Sequence, residues 1–107
     1  MKTWLIRTLM VMAVLALGAA GARARADDVA ALYKSKCAVC HGADGKGDTP
    51  AGKKLGTKDF HSPDVAKMSD TELFDITKKG KDKMPGYDKK ITDDEIRELV
   101  KYVRSLK

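Results

Sequence analysis

Two thiols and an imidazole stand at Cys37, Cys40 and His41, that is, at positions i, i+3 and i+4. On a helical turn those positions share one face. Sulfurs placed this way both reach the vinyl groups along one side of a flat porphyrin, while the imidazole points at the iron from the same side. C-x-x-C-H is therefore the attachment signal of a covalently held c-type haem, here one haem. Two other uses of paired cysteines fit the surroundings poorly. A thioredoxin-like redox pair needs a strand–helix–strand setting, and no segment alternates as a strand would. A zinc site needs four ligands, yet there is no second cysteine pair, and His61 is the one further histidine.

An iron that shuttles electrons needs an axial ligand on its other face. Met68, Met84 and His61 are the candidates. Met68 stands just ahead of Ser69, where a methionine serves a helix start as an apolar staple. His61 lies beside a serine–proline cap, a usual place for a surface or capping residue. Met84 falls in a loop from Lys81 to Lys90 with no apolar stripe to join, and Pro85 holds it extended. Met84 is the favoured ligand. A soft, neutral thioether opposite an imidazole favours ferrous iron and raises its potential.

The elements that must position these groups are helical. The first is predicted from about Asp28 to Cys40, capped by Asp27 or Asp28, with Val29, Leu32, Tyr33 and Lys36 on one face. A glycine-rich stretch from Gly42 to about His61 shows no period and reads as loop, long enough to wrap a prosthetic group. Ser62-Pro63-Asp64 starts a short helix to about Lys67. Ser69-Asp70-Thr71-Glu72 is a capping box with Met68 and Leu73 as its staple, and that helix stops at Gly80 after Lys78 and Lys79. Thr92-Asp93-Asp94-Glu95 repeats the device with Ile91 and Ile96. Ile96, Leu99, Val100, Val103 and Leu106 then keep one face apolar. The fold class is all-α, about four helices around one haem.

At 107 residues the chain has room for one domain. Lys2 and Arg7, an apolar run from Leu9 to Ala20, and Ala24-Arg25-Ala26 make a secretory signal peptide over residues 1–26, leaving a domain of residues 27–107. The run is shorter than the roughly 20 residues a membrane helix needs, so no stable membrane insertion is expected once the leader is cleaved. Four of the 21 basic residues lie in the leader and none of the 15 acidic ones does, so 17 basic residues face 15 acidic in the domain. With no arginine stripe or aromatic platform, a nucleic-acid partner is not expected. A domain this small buries a marginal core unless a cofactor completes it.

On these residues the chain from Asp27 to Lys107 resembles the small bacterial class I cytochromes c. Tyr33 matches the family's aromatic residue four before the first cysteine, and Met84-Pro85 matches its ligand loop. Leu99 and Tyr102 match the leucine–aromatic pair of its last helix. Val29 stands where the family usually has glycine at the crossing of the first and last helices, which implies a wider or rotated crossing. The resemblance implies a monomeric periplasmic electron carrier, not an enzyme, serving redox protein donors and acceptors. It also points to Met84 as ligand, and to the Pro50 carbonyl as acceptor for the free nitrogen of His41. Leu55, Phe60, Ile76 and Ile91 either line the pocket or belong to the ordinary core, and Tyr87 either reaches a haem propionate or packs. Lys78, Lys79, Lys81, Lys83, Lys89 and Lys90 form either a rim that steers acidic partners or a solvated loop balanced by Asp75, Asp82 and Asp88. Rival functions are a weak peroxidase, if Met84 dissociates, and a haem subunit fixed in a terminal oxidase or dehydrogenase.

Overall fold

A computed structural model of the chain describes residues 25–107, and these are helical with no strand among them. The predicted leader lies outside the described residues except for Arg25 and Ala26. Helix α1 covers residues 25–36, so Asp27 and Asp28 are already inside it rather than capping it. Arginine and alanine upstream of them are strong helix formers, which moves the start back.

Helix α2 (Ala38–His41) follows after a slight break at Cys37, whose φ is −115° and ψ −38°. The backbone bonds Cys37 N to Tyr33 O (2.8 Å) and His41 N to Cys37 O (3.0 Å) carry the helical pattern across the break. Gly42 then ends the run. The long loop expected over 42–61 is interrupted by α3 (Pro50–Leu55), with Thr49 as its cap. Helix α4 (Pro63–Ala66) starts on Pro63 as predicted, though its Ser62 cap makes no side-chain bond.

Helix α5 (Asp70–Lys79) is capped by Ser69, whose hydroxyl accepts from Glu72 N, without the return bond from Glu72 that would complete a box. Helix α6 (Asp93–Ser105) has the full box: Thr92 Oγ1 accepts from Glu95 N, and Glu95 accepts from Thr92 N. Between α5 and α6 the loop closes one isolated antiparallel bridge, Lys81 to Met84.

The core sits where α1 meets α6. Tyr33, Ile91, Ile96 and Leu99 form one buried cluster, and Val29, Leu32, Phe74, Tyr102 and Leu106 pack against it. Val29 is thus part of the crossing, and the Tyr33 and Tyr102 rings lie 5.0 Å apart, tilted by 46°. Helix α3 packs on α2, and α5 packs on α6. The first pair positions the cysteine motif. The second carries the Met84 loop.

Candidate haem-attachment site

Cys37, Cys40 and His41 come together on the single turn formed by Cys37 and α2. Neither cysteine is in a disulfide, and both are half-buried. Burial pushes the Cys37 thiol up to about 11, with Lys36 only partly offsetting it. That is the opposite of a redox-active C-x-x-C pair, whose first thiol must ionise near neutrality. No group of three or more His, Cys, Asp or Glu converges as a metal cage among the described residues. The zinc alternative has no ligand set there.

Burial holds the His41 imidazole below its usual basicity, so it is neutral at neutral pH. Its Nδ1 is buried and has no hydrogen-bond partner among the described residues. An unclaimed buried nitrogen costs about 1–3 kcal/mol. A neutral imidazole in that condition is a ready ligand for iron. The ring is fixed instead by an aromatic contact: Phe60 stacks on it at 4.5 Å between centroids, 20° from parallel. These residues fit a covalent haem: two cysteines outside any disulfide and an imidazole with an unclaimed nitrogen, all on one turn.

The backbone of the motif is pinned from several sides. Tyr33 donates its hydroxyl to Gly42 O at 2.6 Å, tying α1 to the end of α2. Thr49 Oγ1 lies 2.7 Å from Val39 O and 3.1 Å from Cys40 O as donor, and accepts from Gly52 N at 2.9 Å. One hydroxyl therefore closes α2 and opens α3. Gly52 is required by close approach: a Cβ there would run into the Cys40 carbonyl and stand 2.6 Å from Gly47 O. Sequence reasoning missed both Thr49 and Gly52, although Thr49-Pro50 carries the same cap-and-proline signature that was legible at Ser62-Pro63.

Pro50 is the exposed first residue of α3. Its fixed φ is used to start a helix. Leu55 ends α3 and is 40% exposed. Val39, within the motif, is 64% exposed. Ile91 belongs to the central cluster rather than to a separate pocket. Ile76 is half-buried on α5.

Tyr87 decides where the Met84 loop lies. Its hydroxyl donates to Lys36 O at 3.1 Å, just before the motif, so the side chain packs across the loop. Burial raises its pKa, and the nearby Cys37 and Cys40 thiols raise it further. The loop's own shape comes from paired bonds between Lys81 and Met84 (3.1 and 2.9 Å), with Asp82 in the left-handed region at φ 53°. Tyr87 N to Thr77 O (3.0 Å) and Asp88 N to Lys78 O (3.1 Å) fasten it to the end of α5. Gly80, at φ 83°, faces the returning loop so closely that a Cβ would lie 2.7 Å from both Met84 O and Gly86 N. Half-buried Met84 is thereby carried on a loop anchored beside the cysteine turn.

Of the other two candidate ligands, His61 has its ligating atoms engaged elsewhere. Both ring nitrogens of His61 have partners, Asp59 Oδ1 at 2.7 Å and Leu106 O at 3.0 Å. Met68 precedes the Ser69 cap as predicted, and its carbonyl accepts from Arg104 Nη2 at 2.5 Å. Of the six lysines, Lys78 is paired with Asp93 (3.1 Å) and Asp88 (3.8 Å), and Lys90 lies over the Tyr87 ring at 5.3 Å.

Three comparisons with known proteins bear on this arrangement. Residues 24–103 match the family model for cytochrome c oxidase, cbb3-type, subunit III. A solved structure, the KustC0563 c-type cytochrome, is similar at 34% identity and a TM-score of 0.67, covering 73% of this chain and 95% of that one. No curated protein matches.

Proposed function

The chain belongs to the cytochrome c oxidase, cbb3-type, subunit III family and is a c-type cytochrome, an electron carrier with covalently bound haem c; from that premise we propose that Cys37 and Cys40 hold one haem by thioethers, with His41 and Met84 as axial ligands. The observation that carries this assignment is the cysteine turn itself: two cysteines outside any disulfide beside an imidazole with an unclaimed nitrogen. Haem bound there supplies a one-electron couple. The chain's part is to hold both ligands through the change of charge, so that little rearranges when the electron arrives or leaves.

The positioning follows from the bonds already described. Tyr33 and Thr49 fix the turn that presents His41, and Phe60 fixes the ring plane. Tyr87 holds the Met84 loop against the same turn. A ligand on each face disfavours substrate chemistry at the iron, and His61, the one other described histidine, is engaged with Asp59 and Leu106 rather than poised as an acid–base group. The working partners are redox proteins. The family's description names an oxidase subunit, which supports a second reading as a haem domain docked on a larger complex. Co-purification with such a complex through a salt wash would favour docking over shuttling. Export to the periplasm rests on the leader pattern, and a purified holoprotein beginning at Asp27 would agree with it.

A redox titration followed optically tests the ligand set. Met84→Ala should abolish the sulfur–iron absorption band, lower the potential and make the iron bind cyanide readily. Met68→Leu should change none of these. The reverse pattern would move the ligand to Met68.

A further inference from the structure

One polar cluster near the motif has no part in holding haem. His61 lies between Asp59 and the end of α6, with its backbone N–H donating to Asp59 Oδ1 at 2.8 Å. Its Nδ1 is 2.7 Å from the same carboxylate oxygen, and its Nε2 is 3.0 Å from Leu106 O. Both ring partners are acceptors only. A neutral imidazole has one N–H, so one of its nitrogens would point a lone pair at an oxygen. The imidazolium alone donates to both.

Phe60 sits between these two clasping residues in sequence and turns inward. Its ring stacks on His41, and its backbone N–H donates to Gly45 O at 2.9 Å. The Leu106 side chain lies against the same place: a Cβ built on Gly45 would stand 2.7 Å from Phe60 Cδ2 and 3.2 Å from Leu106 Cδ1. Phe60 is therefore held along the chain by Asp59 and His61, and from the side by Leu106, which is also the residue whose carbonyl His61 grips.

We propose that Phe60 is a positioning residue for His41, and that His61 as an imidazolium is the clasp that keeps Phe60 there, so that releasing one proton from His61 loosens the stack and shifts the haem potential. The proposal rests on the reading of His41 as an iron ligand. The charged groups facing the His61 ring are Asp59 from its own segment and Lys46 from the loop after the motif, and α6 presents the Leu106 carbonyl dipole. The Asp59 hydrogen bond, then the Leu106 bond, raise the His61 pKa above its ordinary 6.5, and Lys46 opposes them weakly. A raised pKa means that the clasp is fully engaged below 6.5 and is lost as pH climbs through the elevated value. The proton leaves to solvent. Losing that positive charge favours ferric haem, so the potential steps down as pH rises.

The test is the midpoint potential of the full-length holoprotein from about pH 5 to about pH 9, with the His61 ring protons followed by NMR in parallel. In the wild type the potential should fall in one step that tracks the His61 titration. His61→Gln should remove the step, and Asp59→Asn should move it to lower pH. Phe60→Leu should shrink it while His61 still titrates. A full step persisting in His61→Gln or in Phe60→Leu overturns the proposal. A haem spectrum and potential left unchanged by His41→Gly would mean that the His41 ligand assignment itself is wrong, and the proposal falls with it.

Discussion

A single hydroxyl at Thr49 serves two helices at once, which makes it the most exposed point of failure near the haem site. Oγ1 donates toward the Val39 and Cys40 carbonyls and accepts from Gly52 N. Losing an N-cap oxygen costs about 0.5–2 kcal/mol. Thr49→Val keeps the shape and removes both roles, so unfolding of the holoprotein in denaturant should show a loss of about 1–2 kcal/mol, with Thr49→Ser restoring most of it. A midpoint unchanged in the valine variant would mean that the hydroxyl is incidental. At this scale the sequence was a partial guide. Cys37, Cys40 and His41 were legible because their spacing encodes one face of a turn. Thr49 was not, because glycines on both sides of it masked a cap-and-proline pair that, at Ser62-Pro63, stood in a less ambiguous setting. Pro50 was noticed, but not as the first residue of a helix.

Among the elements, two helices begin with the same four-residue pattern and resolve it differently. Thr92 and Glu95 exchange bonds of 3.0 and 3.1 Å, whereas at Ser69 only the hydroxyl half of the exchange forms, at 3.1 Å to Glu72 N. Ile91 and Ile96 are both buried behind the complete box, so the entry angle of α6 is fixed by packing as well as by bonds. At the start of α5, Asp70 is instead held by Arg104 at 2.6 Å, which ties the two helices across the molecule. Thr92→Ala should therefore cost about 1 kcal/mol or more. Glu95→Ala should cost more than Glu72→Ala, because only Glu95 satisfies a backbone donor. Equal losses for the two glutamates in chemical denaturation would show that the return bond contributes nothing. Helix ends were readable wherever a cap preceded an apolar stripe. Helix α3 has no stripe: its residues are small or lysine apart from an exposed Leu55, so periodicity had nothing to detect.

At the scale of the molecule, six of the described residues make up the buried apolar core: Tyr33, Val65, Ile91, Ile96, Leu99 and Val100. That is little for a domain of this size, and it gathers where α1, α6 and the Ile91 turn meet, leaving α3 and the Met84 loop to be held by bonds and by the prosthetic group. A covalently attached group suits such a domain, since an attachment that cannot dissociate stabilises the fold at any concentration. The same economy leaves most charge on the surface, where partner choice is made. Lys78 is neutralised by Asp88 and Asp93, and Lys90 lies on Tyr87. Lys79, Lys81, Lys83 and Lys89 are exposed and have no ion-pair partner among the described residues. Steering by such a rim raises association rates by about 10–1,000-fold at low salt, and screening shortens its reach to about 3 Å at 1 M. Electron transfer to an acidic redox protein, followed by stopped flow, should therefore slow several-fold between low and high ionic strength. Lys83→Gln should flatten that dependence, while Lys78→Gln should leave it nearly unchanged, because its charge is already spent within the fold. If both substitutions act alike, the rim responds to net charge alone and the local pairing of Lys78 does not shape the docking field.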